Sequence, residues 1–261
     1  MSFLSDLFLS AFQLPDALSS ASAFLLITIS FATSALTAAL GLGGGIALLA
    51  IMASVMPIGA LIPVHGVVQL GSNTGRALVQ IRHLDRTILL WFTLGSILGA
   101  WIGGNIVVAL PDAPLKMGLA FFILWSVWAR KPKFDKLPRW LLASGGLVAT
   151  FLTMFFGATG PVVGALISSI VPDRLTFVAT HAACMTFQHC LKVIVFGLLG
   201  FAFAPWFGLL AAMIFTGFLG TLAGTHVLGR MPEAIFKRGF KLIMSLLALN
   251  LIWQAARVFM A

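Results

Sequence analysis

Hydrophobic residues run along this chain in eight long blocks, approximately 24–55, 57–81, 86–110, 114–129, 141–171, 174–199, 205–229 and 236–259, parted by short polar stretches. None of the blocks alternates with a period of two, so they predict helices rather than strands. Most approach or exceed the roughly 20 residues that cross a hydrocarbon core of about 30 Å. The first and fifth blocks are broken at matching places, by Gly41-Leu42-Gly43-Gly44-Gly45 and by Gly157-Ala158-Thr159-Gly160-Pro161. Each has about 16 residues before the break and about 10 after it, so neither half need cross. The pattern predicts an all-α integral membrane protein with six crossing helices and two Gly-broken re-entrant hairpins. Eight crossing helices are the alternative.

The two halves of the chain align. Residue 41 maps onto 157, His65 onto His181 and Arg76 onto Lys192 at an offset of 116. Farther on the offset is 121, taking Gly99 to Gly220, Gly103 to Gly224, Pro111 to Pro232 and Lys116 to Lys237. Histidine, proline and lysine falling in register point to a tandem duplication. The expected organisation is an N-terminal segment 1–23, a membrane repeat 24–129, a basic linker 130–140 and a second membrane repeat 141–261. Gly95, Gly99 and Gly103 form a small-residue face, repeated by Gly217, Gly220 and Gly224, and such faces let helices approach closely in lipid.

Composition agrees with a membrane protein. Hydrophobic residues make up 60% of the chain and charged ones 9%, with a mean hydropathy of +1.08, whereas soluble domains carry about 25% charge. The net charge of +9 sits mostly in short loops, where orientation rules place it, and does not argue for nucleic acid. With eight crossings the basic residues divide almost evenly between the two faces. With two hairpins each repeat crosses three times, the second copy is inverted, and Lys116 and Arg257 alone fall on the outer face. The positive-inside rule favours this arrangement, with both termini outside. Met1 to Ser20 contains no basic residue, so a cleaved signal peptide is not expected. Cys184 and Cys190 share one apolar block and suggest neither a disulfide nor a metal site.

A polar stripe crosses this apolar background. His65, Gln69, Ser72 and Arg76 lie on one face of the second block, flanked by Asn73. His181, Met185, Gln188 and Lys192 repeat the spacing in the sixth, flanked by His189. A charge inside a bilayer costs at least about 2.5–3.5 kcal/mol, so two matching charges call for a seam filled by water or ligand. No Asp or Glu falls in the core of any block, and the donors are guanidinium, ammonium, amide, hydroxyl and imidazole. That set suits an oxyanion. Helices that restart after a glycine break offer free N–H groups to an anion, which adds Gly43, Gly44, Gly45, Thr159 and Gly160 to the candidate substrate-binding residues. In an inverted pair His181 comes level with Arg76, and His65 level with Lys192. No catalytic constellation, metal motif or cofactor signature is expected. His65, His181, His189 and His226 lack the cysteines or carboxylates that usually complete a metal site.

The Gly-rich break, the polar second helix, the Arg-bearing loop and the Gly-xxx-Gly third helix, repeated once, resemble the sulfite exporter TauE/SafE family over about 24–258. The second break, Gly157-Ala158-Thr159-Gly160-Pro161, departs from the glycine run usual there. The resemblance implies a multi-pass secondary transporter that exports a small sulfur-containing anion, such as sulfite or a sulfonate, across a bacterial inner membrane. A passive anion channel, or a non-transporting scaffold or assembly factor, fits the same residues. The expected partners are a small anion, the lipid bilayer and, through the glycine faces, a second copy in a homodimer.

Overall fold

A computed structural model describes residues 14–15, 18–40, 43–107, 111–129, 138–171, 173–227 and 233–260. Most of the N-terminal segment, most of the basic linker and the Gly41-Leu42 pair lie outside the described residues. Ten α-helices are described: α1 (Ser20–Leu40), α2 (Gly44–Val55), α3 (Ile58–Val79), α4 (Arg86–Val107), α5 (Asp112–Trp128), α6 (Leu141–Phe156), α7 (Gly160–Ser168), α8 (Arg174–Leu198), α9 (Phe207–Val227) and α10 (Glu233–Met260). No strand occurs among the described residues. The eight expected blocks are therefore helical, and the first and fifth divide at their glycines into α1–α2 and α6–α7.

Segments Ser20–Ala38, Arg86–Val107, Leu175–Leu198 and Ala204–Gly224 are long and apolar enough to cross a bilayer. Large apolar side chains such as Trp101, Phe215, Leu242 and Trp253 cover the exterior, where lipid takes the place of a protein core. This is a multi-pass membrane protein.

The broken helices are hairpins. Cβ atoms placed on Gly44 would meet the Thr33 carbonyl and the Thr37 hydroxyl, so α2 starts folded back on α1. Gly145, near the start of α6, lies beside Leu166, near the end of α7. The arms differ in length from expectation. α1 has 21 residues, about 31 Å at 1.5 Å per residue, and reaches the full depth of a hydrocarbon core. α6 has 16 residues, about 24 Å. The extra turn of α1 comes from a local cap, because the Ser19 hydroxyl accepts the Ser22 N–H at 3.1 Å and starts the helix four residues before the apolar block.

Helix pairing follows the internal alignment. α4 packs on α6 and α9 on α1, so the long arm of each hairpin seats on the fourth helix of the other half. Both contacts use the glycine faces. Cβ atoms on Gly95 and Gly99 would strike the carbonyls of Ala143 and Leu147, and on Gly220 and Gly224 those of Phe31 and Ala35. The faces expected to mediate close helix approach are thus used within the chain. α5 and α10 form a third pair, in which Trp128 Nε1 donates to Ser245 Oγ at 2.8 Å and Lys241 Nζ lies 4.9 Å from the Trp128 ring.

At the centre α3 packs against α8. Gly66 faces Lys192, while the Asp85 N–H, just beyond α3, donates to Thr180 Oγ1 at 3.0 Å. These helices, which hold the same place in the two halves, therefore run antiparallel, as an inverted duplication requires. Asp85 also caps α4, accepting from the amides of Thr87 and Ile88 at 3.0 and 3.1 Å, and pairs with Arg139 at 3.0 Å. The cap is the larger effect, since exposed ion pairs contribute little. Asp85→Ala is expected to lower stability by about 1 kcal/mol, measured by thermal unfolding in detergent, and Arg139→Ala by less.

Candidate functional site

The two hairpin tips meet the two polar stripes at one place. A cavity of about 40 Å³ there is lined by Gly43 and Gly45 from the first tip, Gly160 from the second, His65, Gln69, Asn73 and Arg76 from α3, and His181, Met185 and His189 from α8. At roughly 10–15 Å³ of such volume per water, it admits about three waters or one small polyatomic ion. Arg76 and His181 share it, as the expected antiparallel register requires.

Each tip is tied to a stripe by a histidine. His65 Nε2 donates to the Gly45 carbonyl at 2.9 Å, and His181 Nε2 to the Gly160 carbonyl at 3.0 Å. A carbonyl can only accept, so these contacts place a proton on both Nε2 atoms. The His65 and His189 rings meet edge to face, with centroids 6.1 Å apart. Nδ1 of His189, a residue 1% exposed, makes no hydrogen bond among the described residues. Removing one tether with an apolar side chain of similar size, as in His65→Leu, is expected to lower thermal stability by about 1–3 kcal/mol, measured by unfolding in detergent.

Arg76 has a built setting. Its Nη2 donates to Asn73 Oδ1 at 2.8 Å and its Nε to the Ser72 carbonyl at 3.4 Å. Asn73 Nδ2 in turn donates to the Gln69 carbonyl at 2.7 Å. Among the described residues no carboxylate pairs with this guanidinium. It is half-buried at the boundary of two cavities. The second cavity is much larger, about 1390 Å³, and separates α9 from α3 and α8 with a mainly apolar lining that includes Val67, Val79, Leu210, Ile214 and Phe218.

The helix N-termini at the tips are unequal. In α2 the first bond is from Ala47 N–H to the Gly43 carbonyl at 3.1 Å, so the amides of Gly44, Gly45 and Ile46 have no carbonyl within the helix. In α7 the Val162 and Val163 amides bond the Thr159 carbonyl at 2.9 and 3.1 Å, and Pro161 has no N–H. Gly160 is left as the free donor of that turn. The first tip therefore presents more amides without a helical partner.

Several candidate residues lie elsewhere. Ser72 faces the large cavity. Gly44 packs on α1. Gln188 accepts from Thr159 Oγ1 at 3.2 Å and donates to Thr150 Oγ1 at 3.1 Å, bracing the second hairpin. Lys192 Nζ donates to the Gly157 carbonyl at 2.8 Å, at the C-terminus of α6, where a helix end favours a cation. Thr37, Ile46, Ala158, Pro161 and Met185 also line the small cavity without having been candidates. Met185 carried a signal, being the apolar member of its stripe; Thr37 stands in an ordinary apolar run and carried none. Among the described residues no three His, Cys, Asp or Glu side chains gather as a metal site, and the side chain of His226 lies outside the description.

The fold and this internal polar seam define a multi-pass helical membrane protein with a small polar cavity where its two hairpin tips meet. Residues 26–251 match the family model described as Sulfite exporter TauE/SafE, and the chain belongs to that family. The family is one of membrane transporters, which points away from an enzyme. Comparison with curated proteins and with solved structures finds no match.

Proposed function

We propose that this protein is a secondary transporter that exports a small sulfur-containing anion, sulfite or a sulfonate, across the bacterial inner membrane. The observation that carries the reading is Arg76, a guanidinium with no carboxylate partner among the described residues, held by Asn73 over a small cavity. The Gly45 and Ile46 amides at the tip of α2 and the Gln69 side chain add uncharged donors. The one formal positive charge in this set, on Arg76, suits an oxyanion. Half-helix termini at an inverted-repeat interface are a common way to hold a substrate in transporters.

The test is flux of sulfite, thiosulfate, sulfoacetate, taurine, sulfate and chloride in proteoliposomes under imposed proton and sodium gradients. Saturable movement of a sulfur anion is expected, reduced at least ten-fold in Arg76→Gln, a loss of about 1.4 kcal/mol or more in anion stabilisation. Absence of flux for every anion from monodisperse protein would sink the reading.

A further inference from the structure

The two halves are alike in sequence but not in packing. Arg76 and Lys192 occupy equivalent positions, yet Arg76 borders a cavity of about 1390 Å³ while Lys192 is 0% exposed. One helical turn farther on, Val79 and Val195 are also equivalent. Val79 is 85% exposed and lines the large cavity, whereas Val195 is 9% exposed and lies under α4. A Cβ on Gly104 of α4 would run into Val195 Cγ1. On the other side α9, the counterpart of α4, packs on α3 less extensively, with Ile214 beside Gly71, and borders the large cavity. One pairing is closed and its counterpart is open.

We propose that the protein contains a latent cavity between α4 and α8, the closed counterpart of the large cavity beside Arg76, which exposes Lys192 when it opens. Resting on the transport reading above, it makes export an exchange of the two packings. α9 closes onto α3 and buries Arg76, while α4 leaves α8 and exposes Lys192. In the structure Lys192 has given its hydrogen bond to the Gly157 carbonyl, and Gly66 leaves room for its stem, a Cβ there falling 2.8 Å from Lys192 Cδ. Both contacts are reversible, because a lysine stem is flexible and a carbonyl at a helix end is a neutral acceptor. The exchange costs little in principle, since each state contains one closed and one open pairing of the same kind. An anion would meet Arg76 in the described packing and Lys192 in the exchanged one.

The pairing can be fixed covalently. A Cβ on Gly104 falls 3.7 Å from Val195 Cβ, close enough for a short bridge. The double variant Gly104→Cys, Val195→Cys, with Cys184→Ala and Cys190→Ala, would be bridged with dibromobimane, whose thioether links survive sulfite. Excess reagent is removed before flux of the panel anions is measured. We expect the bridged protein to lose at least ten-fold of the unbridged rate, with the single-cysteine controls Val195→Cys and Gly104→Cys, Val195→Ala unaffected by the same treatment and the bridged protein monodisperse. An unbridged protein that carries anion and a bridged one that carries it equally fast overturn the latent cavity and leave the transport reading standing. A protein that carries none of these anions before bridging overturns both.

Discussion

Lys192→Met is expected to leave the protein folded, with thermal stability unchanged or raised, and to reduce anion flux by about 100-fold, equivalent to about 2.7 kcal/mol. The two halves of this expectation have separate causes. Lys192 is fully buried, and its Nζ has one hydrogen-bond partner, the Gly157 carbonyl. Deleting the amine leaves that carbonyl unpaired, a cost of about 1–3 kcal/mol. Deleting the buried charge relieves a desolvation penalty of several kcal/mol. Methionine keeps the length and bulk of the stem against Gly66, so no large void opens. A lysine retained for stability would show the opposite sign, with unfolding at lower temperature and flux falling only as far as folded protein is lost. Lys192→Arg is expected to restore flux in part, because the charge returns but the wider guanidinium must fit where the stem passes close to Gly66.

Lys192 also shows how far the sequence could be read. The stripes at His65, Gln69, Ser72 and Arg76 and at His181, Met185, Gln188 and Lys192 were legible from helical periodicity. So was their antiparallel register, through the inverted repeat. Where each side chain would end was not. Asn73 lies about 100° round α3 from Ser72, enough to put them in different cavities, with Arg76 on the border. Gln188 holds the place in α8 that Ser72 holds in α3, yet it binds Thr150 and Thr159 instead of facing a large cavity. Equivalent positions in a duplicated sequence predict equivalent surroundings, and a structure caught in one of two packings breaks that equivalence. The length of α1 was hidden for a more local reason, a serine cap that looks like ordinary polar linker. The unequal tips were partly legible, since Pro161 removes an N–H from the start of α7 whatever the fold.

Gly99→Leu and Gly220→Leu are each expected to abolish recovery of monodisperse protein, while Gly59→Ala is neutral or slightly stabilising. A Cβ at Gly99 would meet the Leu147 carbonyl and one at Gly220 the Phe31 carbonyl. Both obstacles are backbone, so no rotamer change relieves them and the helices must separate. Separation breaks more than one contact, because Gly95 and Gly103 seat on α6 in the same parallel register, as Gly224 does on α1. Overpacking in a core typically costs about 1–3 kcal/mol, and here the loss extends along the seam that docks each hairpin to the opposite half. Nothing lies within 4 Å of a Cβ at Gly59, where alanine has the better helix propensity by up to about 1 kcal/mol. Size-exclusion profiles and thermal unfolding read all three. Equal damage at 99 and 220 is what one contact made twice by inverted repeats requires. Tolerance at one site and collapse at the other would mean that one hairpin is docked by something other than its glycine seam.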